Sequence, residues 1–185
     1  LDALYYSRLK EVKRGVDTYW LSEPLRAVLN HSHNLYIDGR DESMVYGVGV
    51  SYSNDNGVMK GSDRETMSGN IKLSYRTKSL IFSNDFNIDV TNSDHEPVDF
   101  STFAQANPYY RKYNDDGSIP SLLESTEVAG NTIYNPLYLY NIINKNYTKE
   151  MTLRNNFSLI WRFWNAFQLR GRVGVSKAIS KNETF

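Results

Sequence analysis

The side chains of this chain that could do chemistry are few and mostly unassisted. His31 and His33 stand two apart, a spacing that puts both on one face of an extended strand and would suit two metal ligands. No third ligand accompanies them, and the pair reads as exposed loop histidines. Asn114-Asp-Asp-Gly117 has the flavour of a calcium loop but lacks the spaced ligands and the closing Glu, so it reads as a turn. Asn30-His-Ser, Asn146-Tyr-Thr, Asn156-Phe-Ser and Asn182-Glu-Thr match a glycosylation sequon, although Asn156 falls inside a strand pattern. There is no nucleophile–base pattern, no P-loop and no dinucleotide fingerprint. With no cysteine, disulfide frameworks and thiolate metal sites are excluded. The expectation is a protein that is not an enzyme and needs no metal or cofactor.

What remains is recognition by charged and aromatic side chains, and period-2 strands must position them. The segment around Met151 to Phe163 alternates most strictly. One face reads Met151, Leu153, Phe157, Leu159, Trp161, Phe163, and the other Thr152, Arg154, Asn156, Ser158, Arg162. Similar patterns predict strands over about 33–38, 43–54, 63–77, 79–93 and 165–179. In the third of these patterned stretches Met67, Ile71, Leu73 and Tyr75 oppose Asn70, Lys72, Ser74 and Arg76. In the fourth, Leu80, Phe82, Phe86, Ile88 and Val90 oppose Ser83, Asp85, Asn87 and Asp89. In the last, Phe167, Leu169, Val173 and Val175 oppose Gln168, Arg170, Arg172 and Ser176. Residues 1–14 fit a short amphipathic helix stopped by Gly15.

Composition narrows the class further. Lys+Arg and Asp+Glu balance at 21 each, so nothing argues for nucleic acid. Fourteen tyrosines and an aromatic content of 14% lean towards β structure and interfacial surfaces. No run of about 18 apolar residues exists, which excludes a spanning helix but not a spanning barrel. The connections alternate in length: Gly39–Glu42, Lys78–Ser79 and Trp164–Asn165 are tight, Asp55–Ser62 is medium and Ser93–Thr148 is very long. Outer-membrane barrels show this asymmetry, with short periplasmic turns and long outer loops. Trp161, Phe163 and Phe167 then fall beside a periplasmic turn, where an aromatic membrane girdle belongs. A soluble carbohydrate-binding β-sandwich also alternates, but its strands are usually about 5–6 residues long. Six strands are too few to close a barrel, since the smallest have about 8, so the expectation is a piece of a longer protein.

Local phrases and their order carry a resemblance. They are Gly15-Val-Asp-Thr-Tyr-Trp-Leu-Ser-Glu-Pro-Leu-Arg26, His33-Asn-Leu-Tyr-Ile-Asp-Gly39, Tyr46-Gly-Val-Gly-Val-Ser-Tyr52 and Gly57-Val-Met-Lys-Gly-Ser62. Phe100-Ser-Thr-Phe-Ala-Gln-Ala-Asn-Pro-Tyr-Tyr110, Asn135-Pro-Leu-Tyr138 and the Phe157–Arg172 hairpin follow. The series resembles the early barrel region of SusC-like (SusC/RagA) TonB-dependent outer-membrane transporters, over nearly the whole chain. It departs from them at Gly39-Arg40, where a Gly-Gly pair is usual, and at Glu96-Pro-Val-Asp99, where a Ser-Pro-Tyr-Gly phrase is usual.

The resemblance implies an all-β, antiparallel up-and-down transmembrane barrel of about 22 strands with a lumenal plug, of which this chain is an incomplete segment of about six strands. It implies location in the bacterial outer membrane, contact with its lipid, a SusD-like surface lipoprotein as lid, and energy from the TonB complex. Residues 1–30 are then an extracellular loop segment, 31–93 the first four strands, 94–148 a long extracellular loop and 149–185 a barrel hairpin. Lys72, Arg76, Asp85, Arg154, Arg162, Arg170 and Arg172 would face the lumen or plug. Trp20, Asn107, Tyr109, Tyr110, Tyr134 and Tyr138 would be available to substrate or lid, since aromatic faces suit sugars and peptides alike. The cargo implied is a glycan or peptide oligomer, actively imported; a passive porin is the remaining membrane reading.

Overall fold

The computed structural model of the chain describes residues 2–125, 132–143, 146–164 and 167–184. β1 (His31–Arg40), β2 (Met44–Asn56), β3 (Asp63–Arg76), β4 (Leu80–Asp94), β7 (Asn146–Phe163) and β8 (Phe167–Thr184) form one antiparallel sheet in that order. β5 (Leu122–Ser125) and β6 (Thr132–Tyr134) pair separately. This is an incomplete, open segment of an up-and-down barrel wall, as the alternation implies.

The strands outrun the alternation at the end that carries the long connections. β1 begins at His31, β2 ends at Asn56, β7 begins at Asn146 and β8 runs to Thr184. Here both faces are largely polar, so period 2 leaves no mark, yet the backbone ladder continues: His31 lies opposite Asn54 and Asn146 opposite Thr184.

Register converts alternation into two surfaces. Antiparallel partners point to the same side. No slip interrupts the five pairings of the large sheet, so parity carries across all six strands. One row reads Asp38, Gly47, Lys72, Asp85, Asn156, Gly174; its neighbour on the opposite face reads Ile37, Val48, Ile71, Phe86, Asn155, Val175. On β4 the apolar face runs from Leu80 to Val90, ten residues apart. At about 3.4 Å per residue and a tilt of about 40°, that is a band about 26 Å tall, the height a bilayer demands of a barrel wall.

The apolar face is bare. Leu35, Ile37, Val50, Met67, Val173 and Val175 are each more than half exposed. No second sheet covers this face among the described residues, which is what a sandwich would require. A soluble surface rarely leaves a contiguous apolar patch beyond a few hundred Å². Two tyrosines repair glycine gaps in the sheet. The Tyr36 ring covers Gly47 and Gly49 on the polar face, where a Cβ on Gly47 would meet its hydroxyl at 2.2 Å; Tyr46 covers Gly39 on the apolar face.

The core of this chain lies outside the sheet. Within the long loop expected over 94–148, residues 95–143 contain α2 (Phe100–Gln105), the β5–β6 pair and α3 (Pro136–Ile142). Together with residues 16–26 they enclose Trp20, Val98, Phe103, Ala106 and Tyr110, with Leu123, Ile133, Leu137 and Tyr140 packed around them. We call this unit the lobe. Residues 24–26 are stitched to the β2–β3 connection through the Leu25–Met59 bridge and to the start of β3 through the Arg26–Asp63 ion pair. α1 (Asp2–Lys13), the short helix expected over 1–14, buries no residue, so apolar packing does not fix it. Charge holds it instead: Arg8 pairs with Glu124 at 2.7 Å and Glu11 with Arg111 at 3.0 Å.

Candidate functional site

Two surfaces could act on a ligand: the polar sheet face and the exposed part of the lobe. The polar face bears a hollow of about 780 Å³ bordered by Tyr36, Asp38, Lys72, Asp85, Asn156 and Arg172. Lys72 and Asp85 stand directly opposite each other on β3 and β4. Arg170 and Arg76 occupy one row, joined through Ile160 and Ile81. Arg172 faces Ser158, Arg154 faces Ser176, and Arg162 faces Gln168 and donates to its Oε1 at 3.4 Å. Among the described residues, none of Lys72, Arg76, Arg154, Arg162, Arg170 and Arg172 lies within 4.0 Å of a carboxylate. Asp85 instead accepts from Asn87. The face thus presents cations, most of them towards the tight-turn end, and Asp38, Asp85 and Asp89 share it without making ion-pair contact with them.

The lobe residues separate into core and surface. Trp20 is 2% exposed, and its indole donates to the Asn107 carbonyl at 3.0 Å. Tyr110 is buried and accepts from Arg8 at 3.3 Å. The Asn107 side chain accepts from the Tyr109 amide at 2.9 Å, fixing a turn. For Trp20 and Tyr110 this corrects the expectation of contact with substrate or lid: folding the loop into a lobe uses their rings as core. Tyr138 is half-buried in α3, while Tyr109 and Tyr134 are exposed. Beside Tyr109 a hollow of about 300 Å³ opens between α1 and the lobe, bordered by Arg8, Lys10, Glu11, Arg111 and Tyr113. Tyr113, 48% exposed, was not singled out by the sequence; its place beside Arg111 in an unpatterned stretch left no signal.

Asn114–Gly117 is a turn: the Gly117 amide donates to the Asn114 carbonyl at 3.0 Å, with Gly117 at φ +83°. Asp116 accepts from the Ser118 hydroxyl and amide, and these bonds hold its carboxyl below the usual range. Arg111 bonds Asp115 at 2.5 Å and lowers that carboxyl too. His31 and His33 place their rings 5.2 Å apart on the apolar side, with Tyr52 5.8 Å from His31.

At the tight-turn end Trp161, Phe163 and Phe167 come together, with ring centroids 5.0 Å and 5.8 Å apart in sequence order. Trp164 joins them, 5.7 Å from Phe163 and 83% exposed. It escaped notice because it reads as a turn residue, outside the strand alternation. The turn assigned to Trp164–Asn165 lies partly outside the described residues.

No protein-family model matches the chain, and no curated protein matches it. Solved structures do. The RagAB peptide importer in its closed-closed state superposes with a TM-score of 0.69 at 13% identity, over 89% of this chain and 19% of that one. A second structure of the RagAB peptide transporter gives 0.68 at 12% identity, and the importer's open-open state 0.68 at 13%, with the same coverage. The chain spans about a fifth of the length of these neighbours. At this identity the likeness is one of fold, an open stretch of antiparallel barrel wall with its connecting loops.

Proposed function

We propose that this chain is the early barrel region of a TonB-dependent active importer that carries nutrient oligomers, peptides foremost, across the bacterial outer membrane. The observation that carries this reading is the single sheet with a continuous polar face opposite a bare apolar band about 26 Å tall. The fold likeness to the RagAB peptide importer supports it and favours peptide over glycan as cargo. No covalent chemistry is involved. The polar face lines the lumen, where its unpaired cations attract carboxylates of a plug or of a passing peptide. The lobe lies outside the membrane, and Tyr109 and Tyr134 offer aromatic faces to the cargo or to a SusD-like surface lipoprotein.

The test is growth of the native host on defined peptides, and separately on glycans, after deletion of the gene for the intact protein or of TonB. Both deletions should abolish growth on peptides while leaving free amino acids usable. Loss confined to a glycan would replace the cargo, and uptake independent of TonB would make the protein a passive pore. Recovery of the intact protein in the soluble fraction would overturn the membrane reading altogether.

A further inference from the structure

The apolar face carries two polar groups: Asn84 and Asn155, which hydrogen-bond each other in mid-band, and a cluster of lysines that a hydrocarbon-facing wall does not need. Every arginine of the six-stranded sheet falls on the polar face, whereas Lys149, Lys177 and Lys181 fall on the apolar one. Lys149 and Lys181 are directly opposed across β7 and β8, an arrangement that like charges destabilise. Lys177 faces Leu153 on the same side. All three are exposed.

Their height is specific. The Lys149–Lys181 row sits immediately beyond the last apolar row, Met151–Ile179, and Lys177 one row inside it. On a barrel wall this is the outer edge of the hydrocarbon, where lysine stems lie along the apolar surface and the ammonium groups rise to the headgroups. Local anions answer the charge only in part. Lys181 pairs with Glu183, which also accepts from the Tyr147 hydroxyl, and Lys149 stands 5.3 Å over the Tyr147 ring. Glu65 and Asp94 share the face, and neither is within 4.0 Å of these lysines.

A second feature of the same face points to a lipid. Beside Gly69 the apolar face holds a hollow of about 420 Å³, bordered by Leu35, Val50, Met67, Ile88 and Val90. Gly69, Ile88, Leu153 and Lys177 lie in one row. Three strand spacings, about 14 Å, therefore separate the hollow from Lys177. That is the lateral reach of a lipid with several acyl chains.

We propose that Lys149, Lys177 and Lys181 bind the phosphate of a phosphorylated glycolipid of the outer leaflet, whose acyl chains lie on the apolar face and fill the hollow beside Gly69. The site rests on the membrane reading above and adds a specific lipid to it. Its test is native mass spectrometry of the intact protein in detergent with bis-phosphorylated lipid A as probe, against the same lipid A with its phosphates removed. Wild type should retain the phosphorylated lipid. K149Q/K181Q should lose about 30-fold in affinity, from about fivefold per lysine at an anionic membrane surface. K149R/K181R should bind like wild type, and heat-modifiable gel migration shows that each variant is folded. Equal binding by K149Q/K181Q, or equal binding of dephosphorylated lipid A, would overturn the site. Displacement of the lipid by millimolar inorganic phosphate would make it a free-anion site and overturn the lipid assignment. These failures leave outer-membrane fractionation untouched, so they are distinct from failure of the transporter reading.

Discussion

Asn135 is the most demanding position in the lobe, and replacing it tests whether the lobe is held as described. It is fully buried, at 0% exposure. Its Oδ1 accepts from the Leu137 amide at 3.0 Å, capping the first turn of α3, and its Nδ2 donates to the Lys112 carbonyl at 3.1 Å. Asn135→Ala removes a helix cap worth about 1 kcal/mol. It also strips the donor from the Lys112 carbonyl, a further loss of about 1–2 kcal/mol. Local stability should therefore fall by about 2–3 kcal/mol, and protected amides of α3 should exchange about 30- to 150-fold faster. Hydrogen–deuterium exchange of the intact protein in detergent reads this directly, with β4 and β7 amides as an internal control. Asn135→Asp discriminates further: it keeps the cap on Leu137 but turns a carboxylate towards the Lys112 carbonyl. It should be at least as damaging at Lys112–Tyr113 as alanine. Exchange of Asn135→Ala within about twofold of wild type, less than a small net hydrogen bond is worth, would refute the reasoning.

Three further outcomes follow from other parts of the chain. Trp20→Ala should cost the lobe about 3–5 kcal/mol and expose residues 16–26 to protease, whereas Trp20→Phe, losing chiefly the bond to Asn107, should cost about 1–2 kcal/mol. Val173→Arg, near the middle of the apolar band, should destabilise the folded barrel in lipid by about 2–4 kcal/mol in denaturant titrations, while Arg172→Val on the opposite face should change it little. Asp115 should titrate below the usual carboxylate range by NMR, and Arg111→Gln should return it to that range. Because the folded carboxyl is depressed, its contribution to the turn is complete above the ordinary aspartate pKa and disappears as pH falls through the folded value.

How far sequence alone could carry the reading depended on how many physical constraints acted on each residue. Along Leu80–Val90 and Met151–Phe163 most side chains answer to one of two unlike surroundings, the exceptions being Asn84 and Asn155 on the apolar face and Ile81 and Ile160 on the polar one, so parity and face are legible, and tight turns then set the register. At His31–Ser32 and Asn54–Asn56 both sides are wet, and only the ladder records the strand. The lobe was hidden for other reasons. α3 has seven residues, too few for helical periodicity, although Asn135 before Pro136 is a helix-start signal that could have been used. The burial of Trp20 depends on partners 87 residues away, which no local window contains. α1 was legible as a short helix, but Arg8 and Glu11, which hold it in place, depend on Glu124 and Arg111 far along the chain.

The separation between sheet and lobe also implies an order of assembly. Strands β1 to β4, and β7 with β8, meet across short connections, so their ladders form by zipping from one turn to the next, at little loop-closure cost. The lobe cannot begin this way. Trp20 must find Asn107 across 87 residues, and Arg8 must find Glu124 across 116. Those ends are brought near each other only once the ladder has carried the chain from β1 to β4. The lobe is then a late-folding unit seated on an early-folding wall, and its contacts can open and close again without unzipping any pairing of the six-stranded sheet.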